Sequence, residues 1–393
     1  MRAVYTGGMT IAGYIAPRFA AIGELFDEIV ATQPAGGAAF SVFVDGECAI
    51  DIHGGEARPG IPWDDSTLNL IFSNTKGLIS VAAATLVESG ALNTDAAVAD
   101  YWPEFAAVSG DLTVRGLFEH RAGLSAVRRD MTLAEVFDHD AVISALLTQD
   151  PLWDPGTGYA YHAVTFGNLV DELVRRVDGR TVSQLFQDDV VTPLGVEAWI
   201  GTPSEQLPRV AEFVEVDWSL APPLPPGSPE DLQARAMSFG TAFPSGAGIH
   251  PGVGYNDPRV HAAEMPGVNA ITNARGLAAM WSATVSETNG VRVLSDDTVG
   301  FLRERRVTGP SVWGEPGPWP ERGFGVMLEC DARSPLLSAT SFGHDGFGGQ
   351  AGFADVTHRA SFGFVTNYLI VGRNEHARWK KLVHEVRAIL EKG

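Results

Sequence analysis

The stretch from Leu68 to Glu88 reads LNLIFSNTKGLISVAAATLVE. From Asn74 to Glu88 it is apolar on nearly every side, so the sequence predicts a helix inside the protein and not on its surface. Ser73 and Lys76 stand three residues apart at the start of this helix. Positions three apart share a helix face, so we expect the Lys76 amine to reach the Ser73 hydroxyl.

Lys76 stands out because the chain otherwise uses arginine as its cation. Of the 28 basic residues four are lysines, and the other three are Lys380, Lys381 and Lys392. Arginine keeps its proton in a protein, whereas burial and a helix N-terminus lower the pKa of a lysine. A neutral amine can take the Ser73 proton, so the pair predicts a nucleophile and its base. The plainer interpretation is a helix cap and a surface cation, but Phe72 and Leu78 make this a poor place for a solvated lysine.

The composition limits the class of protein. The 393 residues are 45% hydrophobic and 19% charged, with a formal net charge of −20. This excludes a disordered chain and disfavours nucleic acid and anionic membranes as partners. Cys48 and Cys330 exclude a disulfide framework, and no Cys/His cluster has zinc-ligand spacing, so we expect no metal and no cofactor. The apolar run from Thr10 to Ala16 is too short to span a bilayer and makes a poor signal peptide, which favours a cytoplasmic location.

Periodicity and turn residues predict the remaining elements. Asp45-Gly46 separates two strand-like runs, 38–44 and 47–53, and predicts a hairpin. The predicted helices are 17–31, 113–120, 132–137, 141–148, 166–177, 182–190, 273–284, 296–305 and 374–390, and the late strands are 323–329, 340–343, 349–355 and 360–367. The proline-rich run 220–229 and the Gly/Pro-rich segment 236–267 are expected to be loops, which either cover a site or are disordered.

These elements predict a mixed α/β fold built from both ends of the chain. Residues 1–95 and 230–393 are expected to form a discontinuous α/β lobe, with a sheet flanked by the N- and C-terminal helices. Residues 96–229 are expected to form an inserted, mainly helical lobe. The active site is expected in the cleft between the two lobes.

Three short motifs carry a family resemblance. They are Ser73-Asn74-Thr75-Lys76, then Pro155-Gly156-Thr157 followed by Tyr161, then His344-Asp345-Gly346. Their order and spacing resemble the serine β-lactamase and D,D-peptidase (penicillin-binding protein) superfamily, and within it the class C β-lactamase-like esterases called family VIII carboxylesterases. The stretch ending in His120-Arg121-Ala122-Gly123-Leu124 is similar to the helix and turn after the first motif of this group. The resemblance runs from about Ala38 to Asp355 and implies a central antiparallel sheet.

The resemblance also implies roles for individual residues. Ser73 would be the nucleophile, and Lys76 and Tyr161 would share its proton. The oxyanion hole would consist of the backbone N–H groups of Ser73 and Phe347. The residues expected only to line the site are His344, Asp345, Gly346, Tyr159 and His162. Tyr159 competes with Tyr161 for the role of second base, and the spacing after the Pro-Gly-Thr motif favours Tyr161. For His344, a strand histidine satisfied by its neighbours stays an equal alternative.

Two departures from the lactamase pattern bear on the substrate. The lactamase pattern has an asparagine two residues after the tyrosine. Here Tyr161 is followed by His162 and Ala163, so that the side-chain amide is missing. His344 stands where the pattern has a lysine, which removes a cation that would pair with a lactam carboxylate. Both losses favour a neutral ester over an antibiotic.

The sequence therefore predicts a serine carboxylesterase that hydrolyses short-chain esters through an acyl-enzyme on Ser73. Its partner is a small-molecule ester, and a homo-oligomer is left open. The alternatives are a β-lactamase or D,D-peptidase, and an inactive penicillin-binding-like binding protein. The sequence contains no Gly-x-Ser-x-Gly, no His-Glu-x-x-His and no phosphate-binding loop, which disfavours an α/β-hydrolase, a metallohydrolase and a nucleotide-binding protein.

Overall fold

A computed structural model describes residues 11–214, 225, 227–240, 242–243, 254–330, 335–370 and 375–392. Its strands are β1 (Ile11–Ile15), β2 (Gly37–Val44), β3 (Glu47–Arg58), β4 (Ile61–Pro62), β5 (Asn69–Leu70), β6 (Ala198–Trp199), β7 (Ile271–Thr272), β8 (Met327–Leu328), β9 (Ser341–Gly346), β10 (Gln350–Asp355) and β11 (Ala360–Thr366). The proline-rich run predicted as a loop at 220–229 lies mostly outside the described residues, as does much of 236–267.

The α-helices alternate with these strands only in part. They are α1 (Ala21–Ala31), α2 (Asn74–Glu88), α3 (Val98–Tyr101), α4 (Val114–Phe118), α5 (Leu133–Val136), α6 (His139–Leu147), α7 (Thr165–Asp178), α8 (Val182–Phe186), α9 (Thr192–Leu194), α10 (Pro229–Ser238), α11 (Pro258–Ala262), α12 (Ala274–Val285), α13 (Asp296–Leu302) and α14 (Ala377–Leu390). None of these described helices combines the length and the apolar composition needed to cross a lipid bilayer.

The main sheet is antiparallel and has the strand order β1-β3-β2-β11-β10-β9-β8, with β4 paired to β3. The hairpin predicted around Asp45-Gly46 is confirmed: both residues have positive φ, 52° and 83°, which joins β2 to β3 with a tight turn. A smaller sheet has the order β5-β7-β6. The predicted mixed α/β class with a central antiparallel sheet is therefore confirmed.

Helices cover both faces of the main sheet. On one face α1 and α14 contact each other and enclose an apolar core, with Phe26 and Leu382 among its fully buried side chains. On the other face α12 packs on β2, β10 and β11, and α2 packs on β9 and β10. The apolar helix predicted from the sequence, α2, is thus a central element between the sheet and the helices α7 and α8.

Between residues 96 and 214 most of the regular secondary structure is helical, from α3 to α9. The division into two lobes at residues 95/96 and 229/230 remains our proposal; α10 begins at Pro229, next to the second boundary.

Some of the observed elements differ from the predictions. The strand predicted at 323–329 shrinks to β8, because Gly323 and Gly325 form a tight turn in which the Gly323 N–H donates to the Val326 carbonyl. Helices α10 and α11 were not predicted, since each begins with a proline in a Gly/Pro-rich segment. Proline is compatible with the first helical position, where no N–H donor is needed.

Candidate active site

Ser73 lies between a strained residue and the first turn of α2. Phe72 has φ of +48°, in the left-handed region, whereas Ser73 already has helical angles (φ −66°, ψ −10°). The Thr75 hydroxyl donates to the Phe72 carbonyl at 2.6 Å and supports this conformation. Ser73 remains partly exposed within an otherwise buried segment, so a substrate can reach its hydroxyl.

Lys76 follows one turn later and is fully buried, with 0% of its surface exposed. Its Nζ lies 3.0 Å from Ser73 Oγ and 2.7 Å from the Gly267 carbonyl oxygen. Burial lowers the pKa of Lys76 well below 10.5, the nearby Arg322 lowers it further, and Asp345 opposes this. The residue is thus able to hold a neutral amine beside the hydroxyl, as the sequence predicted.

Tyr161 completes the group around Ser73. Its side chain is close to that of Ser73, and Lys76 Nζ lies 5.0 Å from the centroid of its ring. Burial raises the pKa of Tyr161, while Arg322 and the Ser73 hydrogen bond lower it. The structure therefore brings together the three side chains that the resemblance selected.

Tyr159, the competing tyrosine, is engaged elsewhere. Its hydroxyl donates to the Gly309 carbonyl oxygen at 2.5 Å, and its backbone carbonyl accepts from the Val312 N–H at 2.9 Å. The two tyrosines are only two positions apart, but of the two only Tyr161 interacts with Ser73. The geometry favours Tyr161 as the second base.

His162 lies behind Tyr161 and is held by the backbone. Its Nδ1 bonds to the Ala160 carbonyl at 2.7 Å, and its Nε2 accepts from the Leu124 N–H at 3.2 Å. This pattern requires the neutral tautomer with the proton on Nδ1. Burial lowers the pKa of His162 to about 4. A structural role fits these contacts better than the site-lining role expected from the sequence.

The third motif lies on β9, where alternate residues face opposite sides of the sheet. The His344 ring is 6.1 Å from the Tyr161 ring, and burial lowers its pKa to about 3. Asp345 points to the other face, where His376 Nε2 lies 3.3 Å from its carboxylate. His344 therefore faces Tyr161, and Asp345 connects the strand to the segment that precedes α14.

The end of β9 lies against the backbone that leads into α2. A Cβ added at Gly346 would come within 2.3 Å of the Ile71 carbonyl oxygen, so only glycine permits this approach. The Phe347 ring then packs on the Phe72 ring, with centroids 5.4 Å apart. Phe347 thus contacts the residue that precedes Ser73. The N–H groups of Ser73 and Phe347 were the two predicted to form the oxyanion hole.

Aromatic rings surround Phe72. Its centroid lies 5.0 Å from that of Phe213 and 4.9 Å from that of Tyr255, and Phe243 stacks on Tyr255 at 5.4 Å. Phe239, Phe243 and Tyr255 come from the Gly/Pro-rich segment 236–267, where the sequence is compatible with pocket lining, core packing or loop anchoring. All three are buried, and Tyr255 reaches the residue before Ser73, so these contacts support core packing around the site.

Three further groups were not selected from the sequence. The Gly267 carbonyl accepts from Lys76, and the Arg322 guanidinium carbon lies 4.7 Å from the Tyr161 ring centroid. The His120 ring lies 5.1 Å from the same ring, and its Nδ1 accepts from the His162 N–H. A backbone acceptor leaves no sequence signal, and Arg322 resembles every other arginine in the chain. His120 stood in a stretch that carried the resemblance, which was its only signal.

Comparison with known proteins agrees with this arrangement. The chain is 31% identical to "Esterase/beta-lactamase LipL" of Mycobacterium tuberculosis, over 97% of this chain and 89% of that protein. It is 30% identical to the crystal structure of a family VIII carboxylesterase, with a TM-score of 0.82 over 95% of this chain and 99% of that one. A penicillin-binding protein homologue from Caulobacter crescentus shares 31% identity, with a TM-score of 0.82 over 96% and 99% of the two chains.

The sequence match to the family extends beyond the three motifs. It covers residues 22–385, from helix α1 through most of α14, and so includes both faces of the main sheet and the residues around Ser73. The chain therefore belongs to the Beta-lactamase family.

Proposed function

We propose that this protein is a serine carboxylesterase that works through an acyl-enzyme on Ser73. The observation that carries the proposal is the fully buried Lys76 Nζ at 3.0 Å from Ser73 Oγ. Two of the similar proteins bear the names esterase and carboxylesterase, which supports the same reaction. A serine hydroxyl needs an adjacent base to act as a nucleophile, and the neutral amine supplies it.

In the acylation step Ser73 Oγ attacks the ester carbonyl carbon as its proton passes to Lys76 or Tyr161. The carbonyl oxygen becomes an oxyanion, which we place on the N–H groups of Ser73 and Phe347. Each such donor typically contributes about 2.7–4 kcal/mol to transition-state stabilisation. The C–O bond to the alcohol then breaks, the held proton passes to the departing oxygen, and the acyl group stays on Ser73.

In the deacylation step water attacks the acyl carbon and gives its proton to the same pair of side chains. The bond to Ser73 Oγ breaks, the proton returns to that oxygen, and the carboxylic acid leaves. His120, His162 and His344 have pKa values lowered by burial and stay neutral near pH 7, so none of them is needed as an acid. We therefore assign both steps to Lys76 and Tyr161.

The finer features of the activity belong to the proposal as well. Short acyl chains and a small-molecule ester follow from the resemblance, and a series of para-nitrophenyl esters of increasing length tests them. A cytoplasmic location and a homo-oligomer remain predictions, which cell fractionation and light scattering would test.

The decisive experiment combines labelling and mapping. A phosphonate ester should add one phosphonyl group to the protein by intact mass, and peptide mapping should place it on Ser73. Ser73→Ala should lose both the adduct and ester turnover with its fold intact. No adduct would favour an inactive binding protein, and an adduct on another serine would overturn the assignment. A chromogenic cephalosporin, assayed beside the esters, separates an esterase from a β-lactamase.

A further inference from the structure

Arg322 is a buried cation in contact with the proposed base. It is 8% exposed, and its guanidinium carbon lies 4.7 Å from the Tyr161 ring centroid. Its backbone is fixed between two neighbours, because it forms β-bridges with Val307 and with Met327. The position of the side chain is therefore determined by the chain just before β8.

The Arg322 guanidinium finds no acceptor among the described residues. Within the part of the chain that the structure describes, no hydrogen bond or ion pair is formed by this guanidinium, and its Nε is enclosed without a partner. The two outer nitrogens are not among the enclosed atoms, so they reach solvent-accessible space. Burying an unpaired charge is costly, so such a group points to a missing anion.

Arg306, sixteen positions earlier, is a useful comparison, because its Nε is also enclosed without a partner but its outer nitrogen has one. Its guanidinium carbon lies 4.8 Å from the Phe301 ring centroid, which resembles the stacking of Arg322 on Tyr161. However, Arg306 also pairs with Glu304 at 2.5 Å. The difference between the two arginines is the carboxylate, which Arg322 lacks.

The other ionisable groups around Arg322 do not supply that carboxylate. Lys76, His120 and His344 are bases and not carboxylates, and burial lowers the pKa of all three. Arg322 interacts electrostatically with Asp345 and contributes to lowering its pKa. However, the Asp345 carboxylate pairs with His376 on the opposite face of β9. The charge of Arg322 is therefore not neutralised by a side chain of the described site.

We propose that Arg322 binds a carboxylate group of the substrate, so that the preferred substrates are esters that carry a second, free carboxylate. The inference rests on the proposed esterase function and narrows its substrate class. Arg322 lies against the Tyr161 ring and Tyr161 interacts with Ser73, so a single substrate can contact both Arg322 and Ser73. A guanidinium fork matches a carboxylate in a bidentate pair.

This inference differs from the neutral ester expected from the sequence. That expectation rested on His344, which stands where related proteins have a lysine in the third motif. Arg322 brings a cation to the same region from a different segment. Arg322, which lies outside the third motif, thus supplies the positive charge that the missing lysine would have provided.

Matched pairs of esters test the inference and locate the carboxylate. Monoethyl succinate and ethyl levulinate have similar shapes, but only the first carries a carboxylate, on its acyl side. The leaving-group side is tested by para-acetoxybenzoate against para-acetoxyacetophenone. We expect the charged member of at least one pair to have a kcat/KM roughly 10- to 100-fold higher than its neutral partner, the range for a hydrogen-bonded charge pair. Equal or lower values for both charged esters would overturn the proposal.

Two variants assign the preference to Arg322. Arg322→Met should reduce the charged-to-neutral ratio of kcat/KM to near one through KM, and Arg322→Lys should retain part of it. Arg306→Met is the matched control and should leave the ratio unchanged. Arg322 also influences the pKa values of Lys76 and Tyr161, so its replacement can slow the reaction of both esters. A loss of activity common to both esters cancels in the charged-to-neutral ratio of kcat/KM. An equal loss on charged and neutral esters would contradict carboxylate binding.

A binding measurement separates this inference from the esterase proposal. Ser73→Ala cannot form an acyl-enzyme, so calorimetry can follow its binding of monoethyl succinate without turnover. We expect binding that disappears in the Ser73→Ala/Arg322→Met double variant. Absence of binding in Ser73→Ala would overturn the carboxylate site even if neutral esters are hydrolysed. Binding without any ester turnover by the native protein would overturn the esterase instead.

Discussion

Lys76 donates a hydrogen bond from Nζ to the Gly267 carbonyl oxygen at 2.7 Å. A neutral amine has two N–H donors and one lone pair. When one N–H is bonded to the Gly267 carbonyl, the rotation of the amine is restricted, and so is the direction of its lone pair. Since Nζ is also 3.0 Å from Ser73 Oγ, the lone pair is available to the hydroxyl proton. The orientation of the proposed base is set by a backbone carbonyl far away in the sequence.

Gly167 on α7 provides a test of that relationship. A Cβ added there would come within 2.1 Å of the Gly267 nitrogen, so Gly167→Ala should displace the carbonyl that holds Lys76. We expect kcat for an ester to fall roughly tenfold or more, and the free energy of unfolding to fall by about 1–3 kcal/mol. Steady-state kinetics and urea unfolding measure the two effects.

The control is Gly300→Ala in α13, another helical glycine, where an added Cβ meets nothing within 4 Å. Alanine is the better helix former, so this variant should gain about 0.5–1 kcal/mol and keep its kcat. An unchanged kcat in Gly167→Ala would show that Gly267 does not position Lys76.

Lys76→Met should abolish turnover without destabilising the protein at pH 7. The loss of a base typically costs about 10²- to 10⁴-fold in rate. Burial lowers the pKa of Lys76 below 10.5, so the unfolded chain binds a proton that the native state does not. Native stability therefore rises with pH towards 10.5, and the advantage of methionine is greatest at neutral pH and shrinks as pH rises.

Urea unfolding of Lys76→Met and the native protein at pH 7 and pH 10 measures this change. Lys76→Arg is the companion variant and should also lose turnover, because arginine retains its proton. Near-normal turnover in Lys76→Arg would refute the neutral-amine base, and a stability difference that grows with pH would contradict a depressed pKa.

Tyr161→Phe and Tyr159→Phe form a matched pair. Tyr161→Phe removes the hydroxyl that interacts with Ser73 and should lower kcat by about 10²- to 10⁴-fold with little change in stability. Tyr159→Phe removes the hydrogen bond to Gly309 and should cost about 1 kcal/mol of stability with kcat nearly unchanged. A larger loss of turnover in Tyr159→Phe would move the second base to that residue.

His162 makes a prediction about acid stability. Burial lowers its pKa from 6.5 to about 4, so protons bind preferentially to the unfolded chain in this range and stability is lost as pH falls from 6.5 towards 4. The difference corresponds to roughly 3 kcal/mol. His162→Gln should therefore lose less stability than the native protein between pH 7 and pH 4.5.

Urea midpoints at the two pH values measure the slope for His162→Gln. His384, exposed on α14, is the control, and His384→Gln should leave the slope unchanged. An identical pH dependence in His162→Gln and the native protein would show that His162 does not contribute to acid unfolding.

Patterns local to the sequence predicted much of this fold. Helix α2 was predicted with the bounds that the structure shows, because apolar residues lie on nearly every side of the segment between Ser73 and Ser89. The Asp45-Gly46 turn was equally clear, since both residues tolerate positive φ. Elements in the Gly/Pro-rich segment were missed, because proline at a helix start looks the same in sequence as proline in a loop.

The site was predictable only where its chemistry restricts the residue type. Lys76 could be found because a removable proton excludes arginine, the usual cation of this chain. Arg322 could not be found from the sequence, because its position depends on β-bridges with Val307 and Met327, which only the folded chain forms. The different faces of His344 and Asp345 follow from their alternation on β9, but which of them faces Tyr161 depends on the packing of the sheet on α2.

The strand order has a consequence for synthesis of the protein. β2 from the beginning of the chain pairs with β11 near its end, and α2 with Ser73 packs on β9 and β10. On the ribosome, the nascent chain carries the serine and the lysine long before their supporting strands emerge from the exit tunnel. The hydrolytic centre can assemble only after almost the whole polypeptide has been translated, so truncated products that end before β9 carry the motif without its surroundings.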